Sequence, residues 1–303
     1  MHYFKNSLLE KEAFLSRPNT HQTKKIIGYL ELKIKMIKPI ITLILFLFFT
    51  TICFPQDEFP NLEGKKILVV YGGWEGHQPE IFAKKITSWL KEQKAEVQLV
   101  KGTEIYSDKA KMKELDLTIQ HITMSEMTKN ESKGLQKAIL NGTGMAGWHG
   151  GTGDSFRGNL NYQYMIGGQF VSHPGGKSEF TVKIIDRKDP ITKGLKDFYV
   201  KNTEQYYMLM DPNVKVLATS KFTKASYLKK GSKKSENVVT GSVVPVVWKK
   251  NFGKGRIFYN SLGHNIEDFD VPVLMEIHKR GIRWAAESKY KAKEDLISPV
   301  HKY

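Results

Sequence analysis

The chain has 303 residues, a formal net charge of +16 and one cysteine, Cys53. A single cysteine excludes an intrachain disulfide, but a chain of this length can bury a hydrophobic core without one. The positive charge comes largely from lysine clusters, and no arginine-rich stripe or RNA-binding motif accompanies them, so we expect no nucleic-acid partner.

The first predicted element is a secretory signal peptide. Residues 40–53 are almost wholly apolar, with three lysines shortly before them and polar residues after them. A basic flank, a short apolar run and a polar exit are typical of such a peptide. The run is shorter than the roughly 20 residues of a membrane span. We therefore expect an exported, periplasmic or secreted protein with no stable membrane span.

The cleavage position follows from the residues near the end of this run. Cys53 is a candidate lipid attachment site, but bulky Ile52 stands where a lipoprotein signal has a small residue. Cleavage near Gln56 is the favoured alternative. The sequence thus predicts an N-terminal extension and signal peptide over residues 1–56 and one α/β domain over residues 57–303.

The first half of this domain alternates strands with helices. Apolar or alternating runs predict strands, and an initial proline or a capping box predicts the starts of helices. The predicted elements are strands at 66–71, 96–100, 115–122 and 144–148, with helices at 79–93 and 128–142. This order predicts a three-layer α/β/α, flavodoxin-like fold with a mostly parallel central sheet, whose ligands bind beyond the carboxyl ends of the strands.

The second half is richer in strands. The candidates are 179–185, 214–218, 245–248 and 256–259, followed by a final helix over 271–286. The last two strands flank a glycine-containing turn, which is typical of a hairpin. Residues 222–241 are rich in lysine, serine and glycine and are predicted to form a mobile insertion.

The most informative segment is the glycine-rich loop after the fourth strand. The strand ends at Trp148, and the loop carries His149, Asp154 and Arg157. Glycines permit close backbone approach, and titratable groups on a loop held by a rigid strand are typical of an active site. A polar strand-to-helix turn would have a similar composition, so both interpretations stay open.

Several spaced motifs carry a family resemblance. From about residue 65 to 287 the chain resembles the ThuA-like (trehalose utilisation) family, within the class I glutamine amidotransferase-like superfamily. The motifs lie at 148–151, 154–157, 167–175, 203–208, 245–248 and 253–264. The resemblance implies the amidotransferase-like α/β fold and a role with sugars, including oxidised keto-sugars.

One departure from the superfamily decides the chemistry. Amidotransferases place a nucleophilic cysteine in a Gly-x-Cys-x-Gly elbow, where this chain has His149 between Gly147 and Gly151. Because Cys53 belongs to the predicted signal peptide, no thiolate is available for thioester chemistry on glutamine.

Three residues are predicted to be catalytic. His149 can act as a general acid or base, and His264 follows a late strand, where the superfamily also has its catalytic histidine. Glu204 is a candidate carboxylate partner. The alternatives are a loop histidine held by the backbone and a surface glutamate before a strand.

Predicted substrate contacts surround these residues. His77 follows the first strand, and His173 precedes a proline and so lies in extended backbone. Arg157 can bind an anionic oxygen through its planar fork. The alternative for Arg157 and Asp154 is a structural ion pair that braces the loop.

Aromatic residues form a further candidate set. Trp74, Trp148 and Tyr206 can stack on sugar faces, although aromatic residues are more often part of the core. Two other histidines, His121 and His278, fall within a predicted strand and a predicted helix, and we interpret them as structural.

No cofactor is assigned with certainty from the sequence. Residues 72–77 lack the glycine spacing of a dinucleotide-binding loop. His77, His149, Glu204 and His264 are residue types that a divalent metal accepts. Their ligand atoms would have to converge from four distant segments, so a metal site is an alternative rather than a motif-based prediction.

These observations predict an exported enzyme acting on a small carbohydrate, such as trehalose, a keto-sugar or another glycoside derivative. His149 would move a proton, assisted by Glu204 or His264. The alternatives are a non-catalytic carbohydrate-binding protein and a metal-dependent hydrolase.

Overall fold

The computed structural model describes residues 28–29, 59, 61–223 and 239–297. The chain divides into two units, residues 1–58 and 59–303, and the elements below belong to the second. The predicted signal peptide and most of the predicted insertion lie outside the described residues and stay predictions. Within the described ranges, no helix is long and apolar enough to cross a membrane.

The second unit contains eleven strands in its described residues. They are β1 (Lys66–Gly73), β2 (Glu96–Lys101), β3 (Leu117–Thr123), β4 (Gly144–Trp148), β5 (Gly168–Ser172), β6 (Lys177–Ile184), β7 (Phe198–Glu204), β8 (Tyr207–Met210), β9 (Lys215–Lys221), β10 (Val243–Phe252) and β11 (Gly255–Asn260). The α-helices of this unit are α1 (Pro79–Glu92), α2 (Lys109–Glu114), α3 (Lys129–Leu140), α4 (Gly150–Gly153), α5 (Leu160–Ile166) and α6 (Pro272–Ala286). Three short 3-10 helices lie at Glu75–His77, Glu104–Ser107 and Ile266–Asp270.

Nine strands form one sheet in the order β2-β1-β3-β4-β11-β10-β9-β6-β7. The first five are mutually parallel, and each later neighbour pairs antiparallel. Only β10 and β6 therefore run against the common direction, which confirms the predicted mostly parallel sheet. β5 and β8 form a separate antiparallel pair.

Side-chain alternation along the parallel strands builds a core on each face of the sheet. On one face, Ile67 and Val69 share a cluster with Phe82 of α1 and Leu274 of α6. On the other face, the alternate residues of β1 pack with apolar side chains of α3 and α5, including Leu135, Ile139 and Met165. Because successive strand residues point to opposite faces, one strand contributes to both cores. The predicted three-layer fold is confirmed.

The edge strand β7 differs from the sequence-based expectation. Its sequence, FYVKNTE, has two adjacent exposed residues, Lys201 and Asn202, that break the alternation, and Asn202 adopts a positive φ of 53°. The irregular pattern hides the strand from a search for strict alternation. The alternative for Glu204 was a surface position before a strand; the residue is instead the last of β7 and is only 7 % exposed.

Candidate active site

Four segments bring titratable side chains to one edge of the sheet. His77 ends the 3-10 helix after β1, and His149 directly follows β4. Glu204 ends β7, and His264 comes four residues after the end of β11. These four strands run in the same direction, so their carboxyl ends lie at the same edge, where α/β proteins bind ligands.

The glycine-rich loop holds His149 in an uncommon backbone conformation. Its φ is 45° and its ψ is −143°, and its backbone N–H donates to the carbonyl of Asn260 at 2.7 Å. A Cβ atom on Gly150 would lie 2.4 Å from the ring of His77, and one on Gly151 would lie 2.0 Å from Nδ1 of His121. Glycines are required here because the loop backbone touches neighbouring imidazoles.

The hydrogen bonds of His149 define its tautomer. Nδ1 lies 2.8 Å from the carbonyl oxygen of Ser261. A carbonyl only accepts, so Nδ1 carries the proton and Nε2 of the neutral ring presents a lone pair. That lone pair faces Oε2 of Glu204 at 3.2 Å and Nδ1 of His264 at 3.3 Å. Burial lowers the pKa of His149 to about 4, which favours the neutral ring.

Glu204 is the carboxylate at the centre of this arrangement. Its Oε2 lies 3.2 Å from Nδ1 of His264 and 3.8 Å from Nε2 of His77, in addition to the contact with His149. Its Oε1 lies 3.6 Å from Nε2 of His173. Burial by itself would raise the pKa of Glu204, but the surrounding imidazoles lower it well below its usual range. The carboxylate is therefore ionised.

Neighbouring polar groups orient the two remaining histidines. Nδ1 of His77 lies 3.0 Å from the hydroxyl of Thr123, at the end of β3. The backbone N–H of His264 donates to Oδ2 of Asp268 at 2.9 Å. The same oxygen accepts a hydrogen bond from the hydroxyl of Thr203 at 2.7 Å. These contacts fix the backbone of His264 and one ring nitrogen of His77.

The four central residues can hold a metal ion. One ligand atom from each of His77, His149, Glu204 and His264 lies within 4.8 Å of the others, and all four side chains are buried. The sequence contained no local metal motif because each ligand comes from a different strand end. Sequence reasoning nevertheless identified all four residues.

Three predicted substrate contacts lie at the rim of this centre. Trp74 is 48 % exposed and packs edge-on against His77, and the side chain of His173 is 43 % exposed. Arg157 forms a two-point ion pair with buried Asp154 and lies over the ring of Phe170. Asp154 thus braces the loop, as in the structural alternative, while Trp74, His173 and part of Arg157 remain accessible.

Two predicted aromatic contacts do not face the rim. Trp148 is 1 % exposed and packs against Phe82 and Phe269, because its position in β4 turns it into the core. Tyr206 is 2 % exposed, and its ring centroid lies 4.1 Å from that of His149. Both were candidates for stacking on sugar, with a place in the core as the alternative. Trp148 packs among core aromatic rings, and Tyr206 packs against His149.

The partners of the histidines were not identified from the sequence. Ser261 lies within the motif that ends at His264, and Thr123 directly follows the predicted strand at 115–122. Asp268 lies within a short helix that was not predicted. The position of Thr123 at a strand end could have indicated its contact with the site. The contact of Ser261 could not be predicted from its residue type, because it is made by a backbone carbonyl.

The fold and the site define an α/β protein with a buried histidine–glutamate centre at the carboxyl edge of its sheet. The family model described as ThuA, trehalose utilisation, matches residues 66–285. The match covers more than half of the chain, and the chain belongs to this family.

Solved structures show the same fold. A ThuA-like protein from Bacteroides uniformis is 22 % identical, with a TM-score of 0.56 over 76 % of this chain and 95 % of that one. Another from Parabacteroides merdae is 18 % identical, with a TM-score of 0.57 over 77 % of this chain and 93 % of that one. A comparison with curated proteins found no match.

Proposed function

We propose that the chain is an exported enzyme of sugar utilisation that acts on trehalose, a keto-sugar or another glycoside derivative. Its catalytic residues are His149, Glu204 and His264. The observation that carries the proposal is the convergence of these side chains, with His77, in a buried group at the ligand-binding edge of the sheet. Burying an ionised carboxylate is costly, and such groups concentrate at functional sites.

The rim provides a place for a sugar. Trp74 exposes nearly half of its surface beside His77, and an exposed tryptophan ring can pack against the apolar face of a pyranose. His173 lies between solvent and Oε1 of Glu204. A sugar between Trp74 and His173 would direct its hydroxyl or carbonyl oxygens towards the buried centre.

The centre suits chemistry at a sugar carbonyl. Removing a proton from the carbon beside a keto group leaves negative charge on the carbonyl oxygen, and the released proton needs an acceptor. His149 moves this proton, assisted by Glu204 or His264, and the half-exposed imidazole of His173 exchanges it with solvent. Elimination then breaks the glycosidic C–O bond next to the deprotonated carbon, and the leaving oxygen takes up the released proton. Isomerisation instead returns a proton to the former carbonyl carbon. Glutamine amidotransferase chemistry is not part of the proposal, because His149 occupies the position of the cysteine.

The test is an NMR time course with trehalose and a 3-keto disaccharide. Wild type is compared with Glu204→Gln, which keeps the side-chain volume but removes the charge. Glu287→Gln is the matched control, since Glu287 is 6 % exposed and pairs with Lys65 instead. We expect product from the 3-keto disaccharide with wild type and Glu287→Gln, and at least about a hundredfold slower turnover for Glu204→Gln.

Two other outcomes would change the assignment. If neither sugar is converted while both broaden equally with wild type and Glu204→Gln, the chain is a carbohydrate-binding protein. Equal turnover by Glu204→Gln and wild type would show that the Glu204 carboxylate takes no part in the reaction. Export is tested separately by the mass of the protein recovered outside the cytoplasm, which should begin near Gln56.

A further inference from the structure

We infer that His77, His149, Glu204 and His264 bind one divalent transition-metal ion of the zinc class. The inference deepens the proposed function, because it assigns a cofactor to the same centre. The ligand atoms are Nε2 of His77, Nε2 of His149, Nδ1 of His264 and Oε2 of Glu204.

The spacing of these atoms fits such an ion. Metal–ligand bonds of about 2.0–2.2 Å place neighbouring ligands of a tetrahedral ion about 3.3–3.6 Å apart. Oε2 of Glu204 lies 3.2 Å from the nitrogens of His149 and His264 and 3.8 Å from that of His77. The nitrogens of His149 and His264 are 3.3 Å apart. Small shifts of the side chains bring all four to bonding distance of one point.

Electron-pair donors meet at this point. In the neutral ring, Nε2 of His149 carries the lone pair, because Nδ1 donates to the Ser261 carbonyl. Oε2 of Glu204 is a carboxylate oxygen 3.2 Å away. Two electron-pair donors at that distance need a positive charge between them, which a proton on Nε2 or a metal ion supplies. A metal ion also accepts the electron pairs of His264 and His77, whereas one proton joins only two of these atoms.

The groups behind the ligands match a metal site as well. A metal-bound histidine ordinarily donates its second ring N–H to an oxygen, which fixes the tautomer and the ring orientation. Ser261 provides that oxygen for His149, and the hydroxyl of Thr123 provides it for His77 at 3.0 Å.

The donor set selects the class of ion. Three imidazole nitrogens and one carboxylate suit zinc, and also cobalt, nickel or iron in the divalent state. Calcium and magnesium prefer oxygen ligands. With a fifth ligand position taken by a sugar carbonyl or hydroxyl oxygen, the ion would act on that oxygen as a Lewis acid. His149, expected from the sequence to move a proton, then serves as a ligand, and proton transfer falls to His173.

The experiment measures metal binding directly. The full chain, purified without a histidine tag, is stripped with chelator and titrated with Zn²⁺ against a colorimetric competitor. Co²⁺ is titrated in parallel, because its visible absorption reports the coordination. We expect about one ion per folded chain and a cobalt spectrum with nitrogen ligands.

Three variants assign the ligands. His264→Ala should weaken Zn²⁺ binding at least about a hundredfold, and Thr123→Val, which lacks only the hydroxyl, about ten- to a hundredfold. His173→Ala is the matched control: it removes an adjacent imidazole outside the ligand set and should bind Zn²⁺ as wild type does. Circular dichroism checks that each variant is folded.

The outcomes separate this inference from the proposed function. Folded wild type that binds neither ion, or His264→Ala that binds Zn²⁺ as tightly as wild type, overturns the metal site. Full sugar turnover after complete metal removal overturns the metal role but leaves the enzyme assignment intact. Stoichiometric binding without turnover of either sugar supports the metal site and contradicts the proposed reaction.

Discussion

His149 and His121 are both completely buried near the carboxyl edge of the sheet, yet they meet different surroundings. His149 faces the carboxylate of Glu204 at 3.2 Å. His121 stacks on Trp148 and packs against Phe82, and Nε2 donates to the carbonyl of His77. A buried histidine therefore faces a carboxylate in one region and packs against aromatic rings in the neighbouring region.

His278 belongs with His121 in this second region, the aromatic layer formed with Phe82, Trp148 and Phe269. Its Nδ1 donates to the carbonyl of Leu274 at 3.0 Å, and its ring packs 4.6 Å from that of Phe269. Burial lowers the pKa of both His121 and His278 to about 3. Neighbouring charge, rather than burial or residue type, distinguishes the surroundings of His149 from those of His121 and His278.

The largest expected contrast is between His264→Ala and His278→Ala. The first removes a side chain that faces Glu204, so sugar turnover should fall at least about a hundredfold. The second leaves a cavity among aromatic rings and should lower the free energy of unfolding by about 2–5 kcal/mol. Initial rates per folded chain and urea unfolding in chelator measure the two effects. The distinction between the regions fails if His278→Ala lowers turnover without changing stability.

The contact between the regions is tested at Gly151. A Cβ atom there would lie 2.0 Å from Nδ1 of His121, so Gly151→Ala should lower the free energy of unfolding by about 1–3 kcal/mol. Gly158→Ala is the control, because its Cβ would have nothing within 4 Å, and its effect should stay within about 0.5 kcal/mol. Equal urea midpoints for the two variants would show that Gly151 does not pack tightly against the ring of His121.

The aromatic layer should make stability depend on pH. The pKa of His278 is about 3 in the folded protein and about 6.5 in the unfolded chain. Between these values only the unfolded chain takes up the proton. Stability is therefore lost as the pH falls below about 6.5, by up to about 1.4 kcal/mol per pH unit.

His278→Gln should reduce that slope. The amide keeps a donor for the Leu274 carbonyl but does not titrate, while His121 retains its own contribution. Urea unfolding at pH 7, 6 and 5 in chelator measures the difference. Parallel stability curves for wild type and His278→Gln would mean that His278 can be protonated in the folded state.

The smallest effect concerns the backbone of His149. Its φ of 45° and ψ of −143° are unfavourable for residues other than glycine. In the metal-free protein, His149→Gly should therefore be about 1 kcal/mol more stable than His149→Ala. At an ordinary position glycine would be the less stable of the two. Urea unfolding in chelator decides the sign, and a less stable glycine variant would show that the loop carries no strain at this residue.

The sequence by itself determined the general architecture and much of the centre. Alternating strands and helices predicted the parallel half of the sheet, because those elements depend on local periodicity. The glycine-rich loop marked His149, and the late Ser-Leu-Gly-His segment marked His264. Parallel strands place their carboxyl ends at one edge, so the two histidines could be expected to approach each other.

Only the tertiary structure decided which groups meet. Glu204 lies 55 residues from His149, and His264 lies 115 residues from it. No local pattern encodes such contacts, since they depend on the order of strands across the sheet. The packing also directed Trp148 into the core and set a backbone carbonyl against Nδ1 of His149. Residue types specify what chemistry is available, whereas long-range packing fixes the atoms that face one another.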